Sequence, residues 1–141
     1  MVDRKKSKGF CGEGDEIRIA RYSLHRWEEP FISGEKGSGT VFFSGCSLRC
    51  AFCQNYVISR GHKGNTVTDK ELMNIFDSLI AEGASNINLV TPTHFADKLS
   101  RILREYRSPV PVVYNSSGYE KVETLKNHRD RSSGLSELCR I

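Results

Sequence analysis

The stretch Thr40-Val41-Phe42-Phe43-Ser44-Gly45-Cys46-Ser47-Leu48-Arg49-Cys50-Ala51-Phe52-Cys53-Gln54-Asn55-Tyr56 sets the reading of the whole chain. It begins as a short apolar run of strand formers and continues as a loop with three cysteines, Cys46, Cys50 and Cys53. Three thiolates on one loop can hold an iron–sulfur cluster. Four irons need four ligands, so one position is left for something that is not protein. An open metal position is a place for chemistry, whereas a closed one is structural or an electron relay. Gly45 lets the backbone turn tightly into the loop.

Zinc is the rival ligand. A structural zinc site takes four protein ligands, commonly as two spaced pairs. Here there is one triplet and no second pair, and His62, the nearest candidate fourth ligand, fits no standard finger spacing. A closed four-cysteine site would need Cys11 or Cys139, both far away in sequence. The cluster with an open iron is therefore the favoured reading. The chain has five cysteines, an odd number, and clustered cysteines in a reducing compartment read as metal ligands. Cys11 and Cys139 read as free thiols.

Outward from the loop a βα rhythm appears. Thr68-Asp69-Lys70-Glu71 has the form of a capping box, and Leu72, Ile75, Phe76, Leu79 and Ile80 follow at helical spacing up to Gly83. Asn86 to Thr91 reads as a strand, Phe95 to Tyr106 as a helix, Pro109 to Tyr114 as a strand and Tyr119 to Asn127 as a third helix. Strands separated by amphipathic helices predict an α/β fold with a parallel sheet. Sites in such sheets gather at the C-terminal ends of the strands. Those ends are the cysteine loop, Thr91-Pro92-Thr93-His94 and Asn115-Ser116-Ser117-Gly118.

The flanks are less regular. Residues 1–39 read as an irregular glycine-rich arm with a short strand at Glu16 to Tyr22. Trp27, Pro30, Phe31 and Ile32 are expected to pack the arm on the body. Residues 40–126 form the core unit, and residues 127–141 are a divergent polar tail whose last stretch, Leu135 to Ile141, is too short for another βα unit. Three strands would leave a sheet edge uncovered, so the chain is expected to be less than a complete domain, through truncation or a shifted reading frame.

Composition excludes several classes. Hydrophobic residues make up 38% and charged residues 27% of the 141, as in a soluble globular protein. No apolar run approaches the ~20 residues of a membrane span. Met1 to Lys8 is basic with no apolar segment after it, so a signal peptide is not expected and the default location is cytoplasmic. The net charge of +4 is scattered rather than gathered in a stripe, which argues against nucleic acid.

Beyond these readings, Cys46-x3-Cys50-x-Phe52-Cys53 resembles the signature of the radical S-adenosylmethionine (SAM) enzymes. The flanking runs Gly37 to Gly45, Cys53-Gln54-Asn55-Tyr56, Asn86 to His94 and Tyr114 to Glu120 are similar to the uncharacterised branch of pyruvate formate-lyase-activating-enzyme-like radical SAM proteins. The similarity runs from about residue 9 to Lys126 and stops there.

The resemblance implies the N-terminal half of a partial (βα)6 barrel and a [4Fe–4S] cluster on Cys46, Cys50 and Cys53. SAM would chelate the fourth iron and be cleaved reductively to a 5′-deoxyadenosyl radical that abstracts hydrogen, an oxidoreductase chemistry the cofactor supplies. The implied partners are SAM, a low-potential flavodoxin or ferredoxin, and a glycyl-radical enzyme whose backbone glycine is the substrate. Phe52 offers an apolar wall for the adenine. Asn115, Ser116 and Ser117 stand where the family's third strand meets the ribose, and Gly118 keeps the approach open; their plain reading is a capped turn. Arg49 either offsets cluster charge or is a solvated cation. Many relatives carry a Gly-Gly-Glu-Pro-like segment after the second strand; here Thr91-Pro92-Thr93-His94 stands there, so main chain and threonine hydroxyls are expected to make that contact. His94 reads as a proton carrier or a helix-start polar residue. Relatives are expected to carry more cysteine-containing sequence upstream and three more βα units downstream. Two other readings stay open: a non-catalytic iron–sulfur-binding fragment or gene remnant, and a zinc-stabilised interaction module.

Overall fold

The computed structural model describes residues 6–27, 30–116, 118–123, 126 and a strand at 135–139. The elements run β1 (Ile17–His25), α1 (Pro30–Ser33), β2 (Ser38–Phe43), α2 (Tyr56–Gly61), β3 (Asn65–Val67), α3 (Asp69–Ala81), β4 (Ile87–Val90), a 3-10 turn (Thr93–Phe95), α4 (Ala96–Tyr106), β5 (Val112–Ser116) and β6 (Leu135–Cys139). The expected helix at Tyr119 to Asn127 falls partly on positions outside the described residues.

The sheet is open and six-stranded, in the order β3-β1-β2-β4-β5-β6. β2, β4, β5 and β6 are parallel, as the βα rhythm predicts. β1 runs antiparallel to β2 and β3, so the sheet is mixed rather than purely parallel. β1 lies beside β2 and β6 beside β5, so neither side of the three central strands is an edge. Leu135 to Cys139, read as too short for a further βα unit, supplies that last strand.

Strand alternation divides the sheet into two faces. Val41, Phe43, Ile87, Leu89, Val112 and Tyr114 pack in one core with Leu72, Phe76 and Leu79 of α3 and Leu99 and Ile102 of α4. Burying each large apolar side chain is worth ~1.5–3 kcal/mol relative to exposure. The opposite face is also largely buried and is mixed, with Thr40, Asn88 and Val113 on one rung and Phe42, Val90 and Asn115 on the next. Ile32 is buried as expected, but Trp27 and Phe31 are exposed, so they do not pin the arm to the body. The pairing of β1 does that instead.

Helix α3 starts where the sequence puts it. The Thr68 hydroxyl accepts from the Glu71 N–H at 3.2 Å, and the Glu71 carboxylate accepts from the Thr68 N–H at 2.7 Å and from its hydroxyl at 2.8 Å. The Thr68 backbone bond first, then the hydroxyl, hold the Glu71 carboxyl below its ordinary value. A depressed carboxyl contributes stability above its unfolded value and loses it as pH falls through the folded one. Thr68→Ala is therefore expected to cost about 1 kcal/mol near neutral pH. That cost should shrink on acidification below about pH 4.5. Urea titrations at the two pH values measure both. At the other end of the helix pair, the Tyr106 hydroxyl donates to Asp77 Oδ1 at 2.6 Å and its ring meets Phe76 edge-on at 5.3 Å. Burial, then the Asp77 bond, hold its phenol well above the usual range.

Candidate metal centre

The cysteine loop leaves the C-terminal end of β2 and is fastened at its root. The Ser44 N–H donates to Arg18 O at 2.9 Å and the Gly45 N–H to Ile58 O at 3.2 Å, joining the loop to β1 and α2. Gly45 (φ +78°) and Arg49 (φ +49°) both take the left-handed turn. The Arg60 guanidinium donates to Arg49 O at 2.8 Å and Cys50 O at 3.0 Å. Arg49 donates to Phe10 O at 3.0 Å and lies over the Phe10 ring at 4.4 Å. Arg49 thus has a definite partner and straps the N-terminal segment to the loop.

A second strap lies behind Gly45. Glu13 is buried, with Oε1 bonded to His62 Nδ1 at 2.8 Å and Oε2 accepting from Arg18 Nε at 3.3 Å. His62, weighed above as a fourth zinc ligand, thus has Nδ1 engaged by a carboxylate. Cys11 is buried beside Glu13, its Sγ 4.0 Å from Glu13 O.

Cys46, Cys50 and Cys53 are free thiols, each partly exposed. The Leu48 N–H donates to Cys46 Sγ at 3.5 Å, and Cys53 Sγ lies 3.7 Å from Ser59 Oγ. Among the described residues no three His, Cys, Asp or Glu side chains are already gathered around a metal position. The donor set nevertheless suits an iron–sulfur cluster. Three accessible thiols share one loop, and a backbone amide already donates to one sulfur, the kind of bond that tunes such centres.

The other two strand ends join this loop through hydrogen bonds. Thr91, past the end of β4, has φ +53°, a strained value for a β-branched residue, and its N–H donates to Asn115 O at 2.9 Å. His94 is buried against Phe95, and its Nε2 meets Ser44 O at 2.7 Å. That contact makes His94 a tie between the β4 end and the cysteine loop. Asn115 and Ser116 belong to β5 itself and are buried. Ser116 Oγ donates to Glu120 Oε2 at 2.9 Å and accepts from the Gly118 N–H at 2.9 Å. The other Glu120 oxygen accepts from Thr93 Oγ1. Ser117 lies outside the described residues. Phe52 is 92% exposed on the loop. Glu120, Glu13 and Arg60 escaped the sequence reading of the site; only the four-residue step from Ser116 to Glu120 hinted at one of them.

The buried polar atoms without a partner among the described residues include Ser44 Oγ at the root of the loop and both amide atoms of Asn88. By strand alternation Ser44 and Asn88 share the sheet face away from the core helices. Buried polar atoms are normally paired, by protein, water or ligand.

Three thiols on one loop, at the C-terminal end of a strand, are the donor set of an iron–sulfur protein. The chain belongs to the family of 4Fe-4S single cluster domains, which matches residues 32–139. It is 32% identical to the uncharacterized protein MJ0674 of Methanocaldococcus jannaschii, over 88% of this chain and 38% of that protein. It is 31% identical to a protein of the same organism named "Putative glycyl-radical enzyme activating enzyme MJ1227", over 76% of this chain and 45% of that protein. The chain therefore spans less than half the length of both relatives. Among the described residues no helix is long and apolar enough to cross a membrane.

Proposed function

We propose that Cys46, Cys50 and Cys53 hold a [4Fe–4S] cluster whose fourth iron takes S-adenosyl-L-methionine, in a radical SAM protein of the glycyl-radical-activating kind. The observation that carries this reading is the junction of three strand ends. The thiol loop after β2 is tied by His94 to the turn after β4, and that turn is tied through Glu120 to the end of β5. A ligand on the open iron would meet the Thr91 and Asn115–Gly118 segments on the same rim. The parallel run β2-β4-β5-β6 supports reading the sheet as the first part of a partial (βα)6 barrel. The kinship with a named activating enzyme supports the choice of chemistry.

When bound, such a cluster supplies one electron to the sulfonium, which breaks a C–S bond to give methionine and a 5′-deoxyadenosyl radical for hydrogen abstraction. A low-potential donor, flavodoxin or ferredoxin, would be the electron-supplying partner. The chain's own residues bind, orient and shelter. Arg60 fixes the loop carbonyls of Arg49 and Cys50, Arg49 holds the loop to Phe10 O, and the Leu48 amide offsets charge on the Cys46 sulfur. Ser44 Oγ and the Asn88 amide give a polar ligand buried groups to satisfy. Under this reading Phe52 would shelter the adenine, and Asn115, Ser116, Ser117 and Gly118 would be the segment that meets the ribose. The free thiols suit a reducing, cytoplasmic setting.

The test is anaerobic reconstitution with iron and sulfide. Broad blue-violet absorption and about four irons per chain are expected. Dithionite and SAM should then release 5′-deoxyadenosine. A cluster that yields no nucleoside favours the non-catalytic iron–sulfur reading. Stoichiometric zinc with no iron uptake favours the zinc-stabilised module.

A further inference from the structure

Four exposed side chains run as one strip across the thiol loop. Tyr56 and Arg60 stand four residues apart on α2 and so share a face. Arg60 reaches Arg49 O and Cys50 O, and the Arg49 guanidinium lies over the Phe10 ring at 4.4 Å. Phe10 is 68% and Tyr56 61% exposed, with both arginines exposed between them. The two guanidiniums donate to neutral carbonyls, which leave their charge uncompensated. Among the described residues no carboxylate forms an ion pair with either. From Ser44 to Gly64 there is no aspartate or glutamate, while Lys63 adds an exposed cation just past α2. The strip is thus aromatic and cationic, and Arg60 touches the main chain of one thiol ligand.

We propose that this strip docks an acidic one-electron carrier protein that reduces the cluster. This rests on the cluster of the proposed function and is independent of its sulfonium ligand. Exposed Tyr, Phe and Arg are the residue types that anchor protein interfaces. A cationic surface free of acid attracts a partner of opposite charge and speeds the encounter. The bond from Arg60 to the Cys50 carbonyl puts that partner beside the metal centre, and electron tunnelling falls off steeply with distance. Small, charge-steered, transient contacts are the usual form of such encounters. In turnover one electron passes from the reduced carrier to the oxidised cluster, and no bond forms or breaks.

The probe is oxidised flavodoxin, an acidic carrier, titrated calorimetrically into the reconstituted 141-residue chain. Binding is expected at low salt. It should weaken about tenfold as salt rises from about 0.01 M to about 0.1 M and the Debye length falls from ~30 Å to ~10 Å. Tyr56→Ala and Lys63→Glu change exposed side chains outside the thiol loop. Each is expected to weaken binding about fivefold to tenfold. In a second measurement the photoreduced chain, freed of reductant, is mixed with oxidised flavodoxin. One electron leaves the cluster for the flavin, which takes up a proton as the neutral semiquinone forms. Both substitutions should slow this transfer about tenfold. Transfer to duroquinone, a neutral acceptor that needs no docking, should stay within about twofold. Equal slowing with both acceptors, unchanged flavodoxin binding in both variants, or no binding by the wild type overturns the docking strip alone. A wild-type chain that takes up no iron overturns the cluster reading and the strip with it.

Discussion

Cys50→Ala protein, reconstituted beside the wild type, is expected to hold background iron only and to show no blue-violet absorption. Cys50 sits in the middle of the triplet, and its carbonyl accepts from both Arg60 and the Cys53 N–H. The substitution leaves those main-chain bonds in place, so the loop keeps its path and loses one sulfur. Two thiolates remain on the loop, and the Cys11 thiol is buried against Glu13. The loss should therefore be close to complete rather than graded. Iron and sulfide assays on the purified protein check it. A full complement of iron in the variant would overturn the ligand assignment, and the radical reading with it.

Gly45→Ala is expected to be strongly destabilising and to disturb the root of the thiol loop. A Cβ at Gly45 would stand 2.7 Å from Glu13 Cγ and 2.8 Å from Cys11 O, and the backbone there has φ +78°. The left-handed backbone costs a non-glycine residue about 1–2 kcal/mol, and forced overpacking about 1–3 more. Together they amount to about 2–5 kcal/mol, a large share of the ~5–15 kcal/mol that holds a domain together. The strain falls on the Glu13–Arg18–His62 cluster. Shifting it exposes the root of the thiol loop, so iron uptake should fall with the urea midpoint. Gly61→Ala is the control: its Cβ would meet only Lys63 Cγ at 3.8 Å, at the end of α2. An unchanged urea midpoint in Gly45→Ala would remove the strap behind Gly45 as a support of the site.

The sequence made the cysteine loop, both long helices and the three central parallel strands legible because each has a local cause. Thr68 and Glu71 cap α3 within four residues, and the apolar spacing of α3 and α4 repeats every turn. β1 was only half visible, because apolar alternation at Ile17 and Ile19 gives way to the polar run Arg21 to Ser23. Its antiparallel pairing with β2 is settled by the register at Ile19 and Phe43, which no local pattern reports. β3 is three residues long and β6 sits in a polar tail, so neither carries a usable period. The rim carboxylate was hidden for a similar reason. Thr93 and Glu120 are 27 positions apart and meet only once β4 and β5 lie side by side. Trp27 and Phe31 misled because bulk and apolarity suggested burial, and the structure leaves both in solvent.

The Gly9–Glu13 segment precedes every strand and contributes no thiol to the triplet, yet Phe10 and Glu13 grip the thiol loop from two sides. Sheet-building and iron-holding thus have different minimal lengths. Trimming back to Ile17 would spare the β ladder and leave the metal loop unbuckled. A fusion partner joined close to Phe10 would press on the same buckle.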